Sequence, residues 1–237
     1  MAPILSIKGL TLRRDDGTGS AILNDISLDV DEGEVVILKG ESGSGKTTLL
    51  KCIAELDVYQ KGEILLNGKK SSEYGIPKYR TLVQYVPQRP SLLPGTPLDL
   101  LTMIRSYASR KTDSASPSRL DPIDLAAEWG IEKPMWNRDW PTLSGGESQR
   151  IALAIAVGIG GAEVVLLDEP TSALDEETMK KVEKSLLEML PQQRGIHATS
   201  GEPTRKGTGP KAFVWITHED AQAQRVGTRT VDITRQG

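Results

Sequence analysis

The sequence predicts an α/β fold whose core is a parallel sheet. Two short, continuous apolar runs carry this prediction, at residues 35–38 and 164–167. Runs of this length are typical of parallel strands that are covered on both faces. Each run leads into a glycine-rich or acidic turn and then a helical pattern. Such alternation predicts parallel strands joined by crossover helices.

The rest of the chain is assigned around this core. An N-terminal antiparallel β part is predicted at about Ile4–Leu28 with Gly62–Asn67, and an inserted, mostly helical subdomain at about 89–156. The alternation of strand and helix then resumes and continues to Val231. No internal repeat is found, so we interpret residues 1–237 as a single domain.

Three polar stretches are predicted to lie outside the regular elements. Their polar composition is typical of linkers and surface loops. The first two are interpreted as linkers within the helical subdomain, and the third as a flexible insertion without assigned structure. They are Ser109–Ser118, Trp136–Thr142 and Gln192–Pro210.

Composition and charge are those of a soluble globular protein. Hydrophobic residues make up 38% and charged residues 26% of the 237 residues, which suffices for a sizeable core. A net charge of −3 argues against a nucleic-acid partner. The single cysteine, Cys52, allows no internal disulfide and favours a reducing compartment; we interpret it as a small core residue. No run approaches the roughly 20 apolar residues of a membrane span, so we expect a cytoplasmic chain.

A glycine-rich turn between the first apolar run and the helical stretch 49–54 predicts a phosphate-binding loop (P-loop). Its glycines permit backbone angles that turn successive N–H groups toward an anion, and the helix N-terminus adds its dipole. Lys46 is placed to reach the β- and γ-phosphates, and the Thr47 hydroxyl to bind Mg²⁺. The predicted nucleotide-binding residues of this turn are Gly40, Glu41, Ser42, Gly43, Ser44, Gly45, Lys46, Thr47 and Thr48.

Two carboxylates end the second apolar run. Asp168 is predicted to hold Mg²⁺ opposite Thr47, and Glu169 to polarise a water for attack on the γ-phosphate. Taken alone, the pair is equally consistent with a solvated strand end. The P-loop upstream favours the functional interpretation.

Between these motifs lies the segment Leu143–Arg150, which reads Leu-Ser-Gly-Gly-Glu-Ser-Gln-Arg. Ser144 is a natural N-cap for a helix predicted over Glu147–Val157, and its loop offers N–H donors to an anion. A capped helix with no ligand is the alternative for this motif in isolation.

Together the three motifs resemble those of the ATP-binding cassette (ABC) ATPases, a branch of the P-loop NTPases, over about Leu5 to Val231. The resemblance implies ATP hydrolysis with Mg²⁺. It also implies that Ser144, Gly145 and Gly146 close on the ATP of a second cassette, which makes a homodimer with two shared sites.

The resemblance assigns roles to three further residues. Gln88 matches a glutamine that contacts Mg²⁺ and the attacking water. His218 matches a histidine that contacts the γ-phosphate, and Asp175 an aspartate that communicates across the dimer.

Two positions depart from the family pattern. The stretch Thr11–Asp15 lacks the aromatic residue that stacks on adenine. Because a guanidinium also packs on π-faces, we predict that Arg14 replaces it. Glu55 stands where a glycine is common, and we expect it to continue the preceding helix.

The resemblance further implies a separate membrane-spanning permease that docks near Arg89–Leu100 and holds the chain at the cytoplasmic side of a membrane. The sequences of this stretch and of Trp136–Arg150 are similar to bacterial-type half-cassettes that pair with small metal-export permeases, including iron exporters. The alternative is a soluble ABC ATPase that powers assembly of a complex such as an iron–sulfur scaffold. A DNA-repair head domain is disfavoured, because residues 88–144 are too few for a long coiled coil.

Overall fold

The computed structural model describes residues 2–90, 94–107, 120–191 and 209–233. The strands are β1 (Leu5–Arg13), β2 (Ala21–Val30), β3 (Val35–Lys39), β4 (Lys61–Leu66), β5 (Val83–Val86), β6 (Val164–Asp168), β7 (Ala212–Ile216) and β8 (Arg229–Asp232). The helices are α1 (Lys46–Ile53), α2 (Ser71–Tyr74), α3 (Ile76–Leu82), α4 (Pro97–Ser106), α5 (Pro122–Glu128), α6 (Gly145–Gly158), α7 (Glu176–Met189) and α8 (Asp220–Val226). No helix in these ranges is long and apolar enough to span a bilayer.

The predicted parallel sheet is confirmed. Five strands pair in the order β5-β6-β7-β3-β8, and every pair in this sheet is parallel. The apolar runs at 35–38 and 164–167 lie in β3 and β6, as predicted. Because parallel strands end at the same edge, the segments that follow β5, β6, β7 and β3 are neighbours in space.

Side chains of the central strands alternate between two apolar clusters. Val36 and Leu38 face the cluster that contains α1 and the antiparallel sheet. Val35 and Ile37 face the cluster formed with α6, α7, α8 and the helical segments around residues 125–143. The parallel sheet is therefore buried on both faces, which explains the uninterrupted apolar runs.

The N-terminal antiparallel β part is also confirmed. Three strands pair in the order β2-β1-β4, with Leu5 opposite both Val30 and Leu66. Their inward side chains share a cluster with Cys52, which is fully buried as a core residue.

The interpretation of Trp136–Thr142 as a polar linker is wrong. This segment forms two short 3₁₀ helices, at Lys133–Asn137 and Trp140–Thr142. Trp136 and Trp140 are buried beside Trp129 in one apolar cluster. Two indoles bury enough apolar area to anchor a segment whose other residues are polar. Of the other two predicted loops, Ser109–Ser118 and all but the last two residues of Gln192–Pro210 lie outside the described residues. The division into a core and a helical subdomain stays a prediction.

The expectation that Glu55 continues α1 is also wrong. The helix ends at Ile53, and Glu55 takes a left-handed conformation with φ of +58°. Its N–H donates to the Cys52 carbonyl at 3.0 Å, and the Leu56 N–H donates to the Lys51 carbonyl at 2.8 Å. This pair of bonds is the Schellman ending, in which the left-handed position favours glycine.

Replacing Glu55 with glycine should therefore stabilise the protein. The left-handed conformation costs an L-residue about 1–2 kcal/mol, and part of this is offset by the entropy that glycine loses on folding. We expect Glu55→Gly to raise the free energy of unfolding by about 0.5–1 kcal/mol in urea titrations. Glu55→Ala is the control, because it removes the side chain without relieving the backbone. A glycine variant no more stable than the alanine variant would contradict this account.

Candidate functional site

The predicted site residues follow four neighbouring strands of the parallel sheet. Gln88 comes after β5, and His218 comes after β7. Asp168 is the last residue of β6, and Glu169 follows it. The P-loop, residues 40–47, follows β3. The strand order β5-β6-β7-β3 places these four segments along one edge.

Two glycines shape the P-loop. Gly40 has φ of +146° and Gly45 has φ of +95°. A Cβ at Gly40 would lie 2.3 Å from the Ile233 carbonyl oxygen, and one at Gly45 would lie 2.8 Å from the Ile22 carbonyl oxygen. Backbone angle and close approach thus both require glycine. Residues 41–43 between them are exposed.

Lys46 is buried at the start of α1. Its Nζ donates to the carbonyl oxygens of Gly40 at 2.8 Å and Glu41 at 2.9 Å, which curls the loop around the ammonium group. Burial lowers the pKa of Lys46, and the nearby carboxylates of Glu169 and Asp168 oppose that shift. The site therefore places the positive charge of Lys46 near the negative charges of Asp168 and Glu169.

Three hydroxyl groups of the P-loop differ in exposure. Thr47 is exposed in the first turn of α1, and Thr48 is half-buried. The Ser44 Oγ is buried and has no hydrogen-bond partner within the protein. A buried, unsatisfied hydroxyl in a glycine-rich turn at a helix N-terminus fits a loop that binds phosphate oxygens.

Asp168 is buried at the end of β6. The Tyr85 hydroxyl donates to Asp168 Oδ2 at 2.9 Å across the β5–β6 pair. Burial, then the carboxylate and this hydrogen bond, raise the pKa of Tyr85 far above its usual value. No role was predicted for Tyr85 from the sequence. The signal that could have indicated this contact is the position of a tyrosine near the end of a buried strand.

Glu169 lies between the other two predicted catalytic residues. Its Oε2 accepts a hydrogen bond from Gln88 Nε2 at 2.7 Å, and its Oε1 lies 3.0 Å from His218 Nε2. The backbone of Glu169 has φ of +48°, a left-handed conformation that is costly for a non-glycine residue. The structure therefore brings Gln88, Glu169 and His218 together in one cluster; their catalytic roles stay predictions.

Gln149 also contacts this cluster and had no predicted role. Its side chain is buried on α6 and bonds to the loops that carry Gln88 and Glu169. The available signal was an amide at a helical position whose neighbours on the same face are apolar.

Ser144 caps α6, as predicted. Its Oγ accepts from the Glu147 N–H at 3.2 Å, and its own N–H donates to Glu147 Oε2 at 2.7 Å. These bonds form a capping box, and the backbone hydrogen bond lowers the pKa of Glu147. A Cβ at Gly146 would lie 3.0 Å from the Ala173 carbonyl oxygen, so this turn packs against the loop after β6. Ser144 and Gly145 are exposed.

Asp175 has a local structural role. It is the N-cap of α7, and its Oδ1 accepts from the Thr178 N–H at 2.9 Å. This backbone bond is also the main reason why the pKa of Asp175 is lowered. The predicted communication across a dimer stays a prediction.

Arg14 lies in the turn between β1 and β2. It is exposed, and its N–H donates to the Ser20 carbonyl at 3.1 Å. From this turn β2 runs toward Ile22, whose carbonyl borders Gly45 of the P-loop. The strand that follows the turn of Arg14 thus borders the P-loop; the contact of Arg14 with adenine stays a prediction.

Comparisons with known proteins agree with this geometry. The family model for the ABC transporter matches residues 23–172. The aliphatic sulfonates import ATP-binding protein SsuB of Zymomonas mobilis is 35% identical over 187 residues, which are 78% of this chain and 70% of that protein. The lactococcin transport/processing ATP-binding protein LcnC-like of Lactococcus lactis is 35% identical over 72% of this chain. The chain spans 24% of that relative's length and 26% of the related LcnC protein.

A solved structure shares the fold over nearly the whole chain. It is a dimeric, post-hydrolysis state of the ATP-binding cassette MJ0796 bound to ADP and Pi. The TM-score is 0.75 at 25% identity, over 98% of this chain and 97% of that one. Fold, P-loop and paired acids together define an ATP-hydrolysing cassette domain. The chain belongs to the ABC transporter family.

The Tyr85–Asp168 hydrogen bond should contribute measurably to stability. Bonds to charged groups contribute about 1.5–3 kcal/mol and bonds to neutral carbonyls about 0.5–1.5 kcal/mol. Tyr74 offers the matched control, because its hydroxyl donates to the Leu66 carbonyl at 2.8 Å away from the site. We expect Tyr85→Phe to lower the free energy of unfolding by about 1 kcal/mol more than Tyr74→Phe. Equal losses in urea titrations would count against a charged acceptor at Tyr85.

Proposed function

We propose that this chain hydrolyses ATP at an interface between two cassettes and thereby drives a separate membrane-spanning partner. The observation that carries the proposal is the cluster of Gln88, Glu169 and His218 at the sheet edge that also holds the P-loop. Acid, amide and imidazole groups beside a phosphate-binding loop are the groups that phosphoryl transfer to water requires.

Glu169 is the proposed general base. Its carboxylate keeps about 20% exposure, and a carboxylate has more acceptor positions than Gln88 and His218 occupy. It orients a water molecule and takes its proton as the water oxygen bonds to the γ-phosphorus. The bond from that phosphorus to the bridging oxygen breaks, and ADP leaves with the electron pair. In this proposal His218 holds the γ-phosphate.

The P-loop supplies the opposing positive charge. In this proposal Lys46 and N–H groups of the loop hold the β- and γ-phosphates. The Lys46 ammonium lies inside the curl of the loop, and a glycine-rich turn at a helix N-terminus offers N–H donors to an anion. Thr48 supports the same turn from the first turn of α1. Arg14 is the proposed contact for adenine.

The residues present fit Mg²⁺. Thr47, Gln88 and Asp168 offer hydroxyl, amide and carboxylate oxygens, the donor types that this ion prefers. Over the described ranges, no three His, Cys, Asp or Glu residues gather into a metal site. This agrees with an ion held by few protein ligands and by the phosphates of ATP. When bound, Mg²⁺ would neutralise phosphate charge.

Each ATP is proposed to be shared between two copies of the chain. Ser144 and Gly145 are exposed at the start of α6, and we propose that the Ser144 hydroxyl and the helix-terminal N–H groups of Gly145 and Gly146 face an anion. The dimeric structures of MJ0796 support a dimer of cassettes; that this turn serves the partner's nucleotide is part of the proposal.

The membrane partner is proposed from the relatives. Their names describe lactococcin transport/processing and sulfonate import, which favours a transport role over the soluble assembly alternative. The partner would dock near residues 89–100 and hold the chain at the cytoplasmic face; residues 91–93 of this stretch lie outside the described residues. These names agree on no single substrate, so metal export stays a prediction.

Glu169→Gln should bind ATP and stall hydrolysis. The amide keeps the shape of the side chain and cannot accept the proton, so turnover should fall about 10²–10⁴-fold. ATP with Mg²⁺ should then trap a dimer that light scattering detects. Glu163→Gln is the control, since Glu163 precedes β6 at the opposite edge and pairs with Asn67. Wild-type turnover in Glu169→Gln would refute the assignment of the base.

Two inactive variants should restore activity when they are mixed. In a heterodimer of Lys46→Ala and Ser144→Arg, a shared-site arrangement concentrates both lesions in one site and leaves the other intact. With free exchange and independent sites, about a quarter of wild-type activity should return, since heterodimers form half of a symmetric mixture. A site built from one chain predicts no recovery, because every site would then carry a lesion.

A further inference from the structure

The side chain of Gln149 joins its own helix to two loops of the site, the one after β5 and the one after β6. Its Nε2 donates to the Gln88 carbonyl at 3.0 Å and to the Glu169 carbonyl at 3.1 Å. Its Oε1 accepts from the Ala173 N–H at 3.1 Å. Only one orientation of the amide satisfies two acceptors and one donor, so the contacts themselves define the placement of its nitrogen and oxygen.

Gln149 is almost fully buried, with 2% exposure. Water therefore cannot replace these bonds. Loss of the amide would remove a partner from the Gln88 carbonyl and from the Ala173 N–H, and would leave the Glu169 carbonyl with the Ser172 N–H alone. The cost falls mainly on the backbone of the loops, because the three shorter bonds go to the main chain; a fourth bond runs from Nε2 to the Ser172 Oγ at 3.5 Å.

One of these bonds supports a strained residue. The Glu169 backbone, with φ of +48°, is held by three hydrogen bonds. Its carbonyl accepts from Gln149 Nε2 and from the Ser172 N–H at 3.2 Å, and its N–H donates to the Ile216 carbonyl at 3.1 Å. A strained conformation persists only where the surroundings over-determine it. Of these three bonds, the one from Gln149 connects the Glu169 backbone to helix α6.

The same amide group also holds the loop of Gln88, whose side chain donates to the Glu169 carboxylate at 2.7 Å. A single NH₂ group thus sets the main-chain positions of both partners in that contact. The separation of the Gln88 amide and the Glu169 carboxylate therefore depends on where Gln149 stands.

Gln149 stands on α6, five positions after its N-cap Ser144. We propose that Gln149 is a positioning residue that couples the placement of α6 to the geometry of Glu169. Movement of the α6 N-terminus is transmitted along one and a half helical turns to the backbone of the proposed base. The inference rests on the proposed role of Glu169 and assigns to α6 a second function besides presenting Ser144.

The test is a double-mutant cycle on hydrolysis. Gln149→Met keeps the approximate volume and removes all four side-chain hydrogen bonds. We expect kcat to fall about 10–100-fold, as for residues that orient a catalytic group. KM for ATP should stay within about threefold, because the hydrogen bonds of the Gln149 side chain go to Gln88 and to the loop after β6. In a Glu169→Gln background, measured by single-turnover phosphate release, the same substitution should cost less than about twofold, since the base it positions is already lost.

Two further variants secure the outcome. Ile155→Val, a buried core position on the same helix, should lose about 1 kcal/mol of stability with kcat unchanged. Gln149→Asn keeps the amide but is one methylene shorter. If the methionine variant does not fold, Gln149→Asn takes its place in the double-mutant cycle, with a smaller expected loss of kcat. Equal losses of kcat with and without the Glu169 carboxylate, or no loss at all, would overturn the inference. Wild-type turnover of Glu169→Gln alone would instead refute the proposed base, and the inference with it.

Discussion

The parallel pairing of β6 with β5 on one side and β7 on the other is the constraint on which the site depends. Backbone hydrogen bonds place Val86 opposite Leu167 and Asp168 opposite Ile216. Because side chains alternate along a strand, a slip of one residue would turn Asp168 to the opposite face. Burial of both faces prevents that slip, since each strand presents one set of apolar side chains to each cluster.

The site is costly to the fold, and the sheet compensates. Lys46 loses hydration in a buried position, Glu169 has a strained backbone, and Ser44 leaves a hydroxyl unsatisfied. Each of these raises the free energy of the folded state. The two apolar clusters offset this cost, because the strands that bear the site are almost completely buried.

The parts of the site that depend on adjacent residues could be predicted from the sequence. The P-loop and the cap at Ser144 are local patterns in which glycine, lysine and serine act through their own backbone. The bonds of Gln149 could not be predicted, since its partners lie 61, 20 and 24 positions away. Glu55 was misjudged because helix propensity favours glutamate, whereas the hydrogen bonds that end α1 require a left-handed residue. In Trp136–Thr142, composition suggested a linker, whereas the burial of two indoles decides the structure.

All four tryptophans of the chain lie in the same apolar cluster. Trp215 belongs to β7 of the parallel sheet, and Trp129, Trp136 and Trp140 belong to the helical segments packed over it. None of their indole N–H groups has a hydrogen-bond partner within the protein. The molecule thus carries its own fluorophores on both sides of the contact between sheet and helical segments. Intrinsic emission should respond to any change in that contact, and rearrangements during turnover can be followed in solution without an attached label.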